Sequence, residues 1–398
     1  MDDAKLEFWG DMQRTLFVEN TAIAMLSKDQ LEGLISEDGR KAHRPIISLP
    51  QSGTYTPYSD ISFNRKTATK QTLEVDDFSY AADEIDITDA NQTRYPLTAI
   101  SAADQMKVHN NYIEQAVMDN ISGAFNVIQD ADGSALTIDT SNILDVFEEA
   151  DTKLGSVDAP YGDRIAVFGP HMIATMRKVK AQRESSLGDS TLLNGVIGPW
   201  NGYTVIQSNN LPYTATLHMA TEPTATNTVT IAGVVFEFVD DIDDAASSTS
   251  NIVVLNGAAV ANSRANLKSA VEGDADTKGT TWKEATGSVS AYNRFVLNEK
   301  RNLAITSAED MVLTGYGDIV VSETLADAAD VWSGQEQQAI MGNRGMIDLV
   351  LQIKKIETIQ KEKGFATLVK SLVGLGTKMF DDGARVAVRV RVDASAWK

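Results

Sequence analysis

The chain has 398 residues, 43% of them hydrophobic, enough for two or three domains or for one domain carrying a large insertion. It contains no cysteine, which excludes disulfides, thiolate nucleophiles and cysteine-based metal centres. A formal net charge of −20 disfavours gripping nucleic acid through its phosphates.

The N-terminus, MDDAKLEFWGDMQR, opens with acids and lacks a basic-then-apolar signal, which predicts synthesis and initial retention in a cytoplasm. No run of about 18 apolar residues occurs, so neither a transmembrane helix nor a membrane partner is expected. Residues 1–45 read as a polar, mixed-charge arm. Its helical stretch carries Phe8, Leu16, Phe17, Ile23 and Leu26 as apolar points, and Gly39 and Pro45 interrupt it. Such an arm docks on its own body or on a neighbour.

Residues 46–96 turn to short β alternation, with Leu73 and Val75 sharing a face. Gly53, Pro57 and the Ser/Thr content predict one long hairpin standing off the body. A two-stranded hairpin with so little core needs a partner surface.

From Leu97 to about Ile128 the period becomes helical, through Met106, Asn110, Ile113, Val117, Ile121, Ala124 and Ile128. A helix of about 30 residues would span about 45 Å, long enough for a spine. NILDVFEEADTKL predicts a second helix with Ile143, Phe147, Ala150 and Leu154 inward and Asn142 or Ser141 as N-cap. RIAVF is a short strand. Gly169-Pro170 opens another helix, with Met172, Met176 and Val179 inward. In NGYTVIQSNNLP a strand over 203–207 runs into Asn209 and Asn210, expected to adopt left-handed angles, and Pro212, expected to stop strand pairing. Residues 97–213 therefore form a spine helix and a small α/β core.

Residues 214–328, rich in Thr, Ala, Ser, Asp and Val, read as an inserted α+β domain. Val229 and Ile231 lead into an Ala232-Gly233 turn followed by Val234, Phe236 and Phe238, a hairpin. AAVANSRANLKSAVEG is an amphipathic helix with Val260, Leu267 and Val271 inward. Residues 329–398 return to core-like writing. The final strand places Val386, Val388, Val390 and Val392 on one face and Arg385, Arg389 and Arg391 on the other.

Nothing in this order carries a catalytic kit. His43, His109, His171 and His218 lack HExxH spacing and read as structural or surface residues. DADTKGTTWKE (274–284) places Lys278 where a calcium loop needs an oxygen ligand, so it reads as a polar turn. VGLGTK (373–378) lacks phosphate-loop spacing and reads as a glycine-relieved turn. RKVKAQR (177–183), with Arg177 and Lys178, is a solvated helix face or an ion-paired contact with an acidic neighbour. Nucleic acid fits it less well, because no aromatics interleave. The Arg385/Arg389/Arg391 face reads similarly, with subunit contact favoured. No catalytic residue, cofactor or metal is expected.

The sequence of pieces resembles the major capsid proteins of tailed bacteriophages, with the Hong Kong 97-type α+β fold. YTPYSDISFNRKTATKQTLEVDDFSYAADEIDITDANQTRYPL looks like that family's extended loop returning into the spine helix. DAPYGDRIAVFGPHMIATM looks like its loop, strand and proline-started helix, and GVIGPWNGYTVIQSNNLP like the strand leading to its axial domain. RGMIDLVLQIKKIE and LGTKMFDDGARVAVRVRV look like its final strands, and TNTVTIAGVVFEFV begins what looks like an accessory domain. The resemblance implies a non-enzymatic subunit that self-assembles into hexamers and pentamers of an icosahedral head around double-stranded DNA. It implies a separate scaffolding protein and a portal protein as partners, assembly in the host cytoplasm, and DNA held without sequence-specific binding. It further implies arm contacts through Phe8, Trp9, Leu16 and Phe17, loop contacts through Tyr55, Tyr58, Phe63 and Leu73, and charged contacts through Arg177, Lys178, Arg385 and Arg389. Lys66 and Lys70 lie where some members carry a cross-linking lysine, but no matching asparagine region stands out, and no cross-link is expected. The rival readings are an encapsulin-type nanocompartment shell of the same fold, a β-rich adhesin and a hydrolase. The adhesin is disfavoured by the missing export signal and the internal spine helix. The hydrolase is disfavoured by the lack of any nucleophile–base or metal spacing.

Overall fold

The computed structural model describes residues 26–28, 41–48, 50, 52–58, 60, 61, 63–86, 97–181, 199–242, 251–283, 302–325, 327–361, 364–395 and 397. The strands of the first half are β1 (Ser27–Lys28), β2 (Lys41–Ile47), β3 (Ala68–Glu74), β4 (Asp77–Asp86), β5 (Asn126–Ile128), β6 (Arg164–Phe168), β7 (Tyr203–Gln207) and β8 (Pro212–His218). They are followed by β9 (Thr228–Ile231), β10 (Val234–Val239), β11 (Ile252–Leu255), β12 (Trp282–Lys283), β13 (Asn302–Ile305), β14 (Asp310–Tyr316) and β15 (Val321–Glu323). The last strands are β16 (Trp332–Asn343), β17 (Ile347–Gln360), β18 (Ala366–Lys378) and β19 (Ala387–Asp393). Among the described residues, the helices are α1 (Leu97–Asp119), α2 (Ile143–Ser156), α3 (Pro170–Ala181), α4 (Val260–Glu272) and α5 (Asp381–Arg385).

The alternation read over 46–96 divides between two sheets. β2 and β3 pair antiparallel from Lys41↔Glu74 to Ile47↔Ala68, so the hairpin starts before the expected arm boundary at 45. β4 leaves it and becomes the edge of a four-stranded sheet, β1-β17-β18-β4. At the opposite edge β1 pairs parallel with β17, and Leu26 is buried in the main core. This end of the arm docks on its own body.

The spine helix α1 has 23 residues, about 35 Å, rather than the expected span to Ile128. It yields to a 3-10 turn over Asn120–Gly123 and then to β5. The breakers are local: Asn120 Nδ2 donates to Ala116 O and Thr377 Oγ1, Ser122 Oγ donates to Asp119 O, and Gly123 follows. Ile121, Ala124 and Ile128 are buried all the same, which is why the helical period runs on past the end of the helix. α1 lies against β4 and β18.

An eight-stranded sheet has β13-β14-β8-β16-β19-β5 as its path, with β6 beside β16 and β7 beside β6. α2 packs on it through Phe147, whose ring meets Phe168 and Tyr203 edge-on at 5.7 and 5.5 Å. Val388, Val390 and Val392 are buried on β19 as the period of two requires. Arg385 and Val386 precede that strand: Arg385 ends α5, and Val386 is its C-cap.

Pro212 does not stop pairing; it opens β8 and lies opposite Tyr316 of β14. First position in a strand suits proline, whose missing N–H is then not needed. The expected boundary at 214 falls inside β8, and β13 and β14 also belong to the eight-stranded sheet. What stands apart is a five-stranded sheet, β12-β11-β10-β9-β15, with α4. Its β9–β10 hairpin turns at Ala232 (φ 49°) and Gly233 (φ 80°), the mirror-image turn that matches strand twist. Phe236, Phe238 and Leu267 share one core with Tyr213 and Leu217 of β8, so the two sheets fold together.

VGLGTK is no turn; it forms the end of β18. A Cβ on Gly376 would sit 2.5 Å from Glu74 O, and one on Gly374 would sit 2.8 Å from the Phe78 ring. These glycines let the chain leaving β3 and entering β4 lie directly on the sheet.

Candidate assembly surfaces

Beyond its root, the β2–β3 hairpin presents itself to solvent. From Pro45 to Lys70 every described residue but Ile46 is exposed. Tyr58 is 105% exposed at φ 68°, Phe63 is 92% exposed, and Tyr55 and Ile61 are also bare. Four large apolar side chains on one unsupported loop form a surface that is stabilised only when covered. Leu73, expected among the loop contacts, is wholly covered within the chain instead. It packs with Ala42, Val75, Val350 and Phe380 in a small core at the hairpin root, because β3 there already faces β18.

The root is also ionic. Arg44 on β2 grips Asp382 of α5 with both terminal nitrogens, Nη1 to Oδ1 at 3.0 Å and Nη2 to Oδ2 at 2.7 Å. Asp348 of β17, 3% exposed at its side chain, lies 3.8 Å from Arg44 Nη1. Lys28 of β1 lies 4.0 Å from Asp382. Burial pushes the Asp348 carboxyl up, beyond what the charges of Lys28 and Arg44 offset. Burial also pushes Asp382 upward, but the Arg44 hydrogen bonds and the Arg44 and Lys28 charges hold it below the usual carboxylate range. On the other strand, Lys378 Nζ donates to Thr72 O at 2.6 Å. Arg44 and Lys378 both lie 5.6 Å from the centre of the Phe380 ring.

The spine helix carries buried polar side chains on two faces. Glu114 accepts from Ser208 Oγ at 2.7 Å and from Asn210 Nδ2 at 2.8 Å. Asn210 N donates to Ser208 Oγ, and Gln115 Nε2 reaches Asn210 Oδ1. The Ser208–Asn210 stretch is thus a corner between β7 and β8 that the spine helix holds by side chains. Neither Asn209 nor Asn210 has a positive φ; the left-handed residues are Asn201 (φ 45°) and Gly202 (φ 81°), before β7. Against the four-stranded sheet, His109 Nε2 pairs with Ser371 Oγ at 2.8 Å, and Ser371 donates to Gln105 Oε1. Gln105 Nε2 donates to Asp83 and to Val369 O. Burial holds the His109 imidazole below its ordinary value.

The remaining sites separate. Arg177 and Lys178 are exposed on α3, and Arg385 is exposed at the end of α5. Arg389 is half-buried beside Arg391, with Nε buried and unpaired and its pKa lowered by burial. Arg391 is committed internally to Glu336, at 2.9 and 2.7 Å, and to Gln129. Phe8, Trp9, Leu16 and Phe17 lie outside the described residues. The histidines sit apart: His43 on Thr72, His171 stacked on Trp397 at 4.7 Å, and His218 paired with Asp310. The Arg44 and Glu114 sites escape the sequence reading. An acid inside the apolar run Met346-Ile347-Asp348-Leu349 is a signal of the first; Glu114, next to the apolar stripe, gives none.

A structure from Mycobacterium phage Che8 matches 94% of this chain over 91% of its own length, with a TM-score of 0.51 at 15% identity. The capsid structure of the cyanophage P-SCSP1u matches 90% of this chain over 85% of its own, with a TM-score of 0.50 at 11% identity. The chain has the phage capsid fold. No protein-family model matches it, and no curated protein matches it in sequence. At such identities the likeness is one of fold, and it covers nearly the whole chain. Among the described residues, the large hydrophobic side chains most open to solvent are Tyr58 and Phe63 of this hairpin.

Proposed function

We propose that the chain is a structural rather than catalytic protein, the major subunit of a tailed-phage head. The observation that carries this reading is the capsid fold running through nearly the whole chain. Copies associate into hexamers and pentamers, and these close into an icosahedral shell around double-stranded DNA. Such head-to-tail contacts are heterologous and must close to give a shell rather than a filament. Tyr55, Tyr58, Ile61 and Phe63 of the hairpin lie over a neighbouring copy, and Leu73 stays inside its own. Arg177, Lys178 and Arg385 are placed for exposed ionic contacts, each modest in energy. The −20 charge keeps the wall from gripping packaged DNA. A scaffolding protein and a portal protein act as assembly partners in the host cytoplasm. The five-stranded sheet with α4 is an accessory element of the shell. The phage origin of the matched structures favours a head over a nanocompartment shell.

Negative-stain microscopy of the purified chain, alone and with a co-expressed scaffolding protein, tests this. Closed shells, rings or tubes are the expected result. A monodisperse monomer under every condition would sink the reading.

A further inference from the structure

The hairpin is a lever whose body contacts end abruptly. Outward of the Arg44↔Gln71 pair the described residues are exposed, apart from Ile46. A lever fixed at one point swivels; fixed at two, it holds an angle. Beside the apolar root formed by Ala42 and Leu73, the two polar ties are the Arg44 fork on Asp382 and the Lys378 ammonium on Thr72 O, one for each strand. They differ in kind. The Lys378 tie is a single hydrogen bond on a flexible stem, whereas the Arg44 fork is planar and directional. The Arg44 tie also has a reason to resist breaking. Asp348 is nearly covered, and swinging Arg44 away would leave that carboxylate with Lys28 as its remaining near cation. Taking one of two nearby cations from a buried carboxylate opposes such motion. The four charges come from four elements, so Arg44 of β2 ties the lever directly to β17 and α5, and Asp382 links α5 in turn to Lys28 of β1.

We propose that Arg44 is the positioning residue of the projecting hairpin: its bidentate grip on Asp382, backed by Asp348, sets the angle at which residues 45–70 leave the body. The consequence for shell closure rests on the assembly reading above, but the local geometry does not.

The absence of cysteine makes the test direct. Ser52→Cys near the hairpin tip and Lys107→Cys on the exposed face of α1 accept spin labels, and pulsed electron resonance on the unassembled full-length chain gives their distance distribution. A single narrow distribution is expected with Arg44 present. Arg44→Ala is expected to broaden it about twofold or more, with Arg44→Lys between, since lysine keeps the charge and loses the fork. Asp382→Asn leaves β2 untouched and is expected to broaden it as well, so the test does not depend on Arg44→Ala folding. Unchanged widths in Arg44→Ala or Asp382→Asn would overturn the proposal. In assembly, the Arg44→Ala chain is expected to give fewer closed shells, on the order of tenfold, and more open or irregular sheets. Wild-type shells matched in yield and diameter by Arg44→Ala would overturn the link to closure. A wild-type chain that never assembles, while the label distance still responds to Arg44, would sink the assembly reading and leave the positioning role standing.

Discussion

Glu114 and Asn210 show how a single pair of side chains can define a corner of the fold. Asn210 is 8% exposed and donates to a carboxylate that is itself 8% exposed. Asn210→Ala removes one of the two donors to Glu114 and is expected to cost about 1–3 kcal/mol, read as a lower urea midpoint with unchanged slope. His109 gives a pH dependence of known sign. Its native pKa is depressed below the ordinary 6.5 by burial, so unfolding below that pH takes up a proton the folded state refuses. Its contribution to stability is full above about pH 6.5 and falls as pH drops through that value toward the depressed one. Thermal melts from about pH 7 down to about pH 5.5 are expected to fall more steeply for the wild type than for His109→Gln. Equal slopes would show that His109 is not the group responsible. These pairings were not legible in the sequence, because Glu114 and His109 meet partners about a hundred residues away or more. The chain shows a period; it does not show which polar residues on it find donors.

At the scale of elements, apolar period carried most of the reading and also misled it. Ile113, Val117 and Ile121 are buried as the helical stripe requires, and Val388, Val390 and Val392 as the strand requires. Period alone could not end α1 at Asp119, since the 3-10 turn and β5 bury residues at compatible spacings. Glycine misled in the other direction. Gly374 and Gly376 read as a turn, yet they mark close approach within β18. Gly376→Ala must push against Glu74 O and is expected to cost about 1–3 kcal/mol, whereas Gly53→Ala in the hairpin loop meets nothing within 4 Å and should change stability by less than about 0.5 kcal/mol. Chemical denaturation of the two variants side by side would check this; equal effects would remove the close-approach argument. The segment entering the smaller sheet was misdrawn for a topological reason. β8, β13 and β14 have the composition of the Thr- and Val-rich region but pair in the larger sheet, and pairing partners are not written in composition.

For the whole molecule, the decisive feature is an imbalance of burial. Among the described residues, two large cores and a small one hold the body, while those from Pro45 to Lys70 carry bare aromatics and little cover. The sequence made that imbalance legible, since Tyr55, Tyr58 and Phe63 stand in a Ser- and Thr-rich stretch with too few apolar neighbours. Tyr58→Ser with Phe63→Ser is expected to leave the monomer's thermal midpoint within a few degrees, because neither ring is covered in the monomer. The same pair is expected to lower the assembled fraction on the order of tenfold or more in sedimentation velocity. Undiminished assembly would move the contact elsewhere. The most direct measurement is an electron cryo-microscopy reconstruction of the assembled particle. Density for residues 48–67 lying on an adjacent copy, with the Tyr58 and Phe63 rings covered there, is the expected result. Closed shells whose hairpins project free into solvent would contradict it.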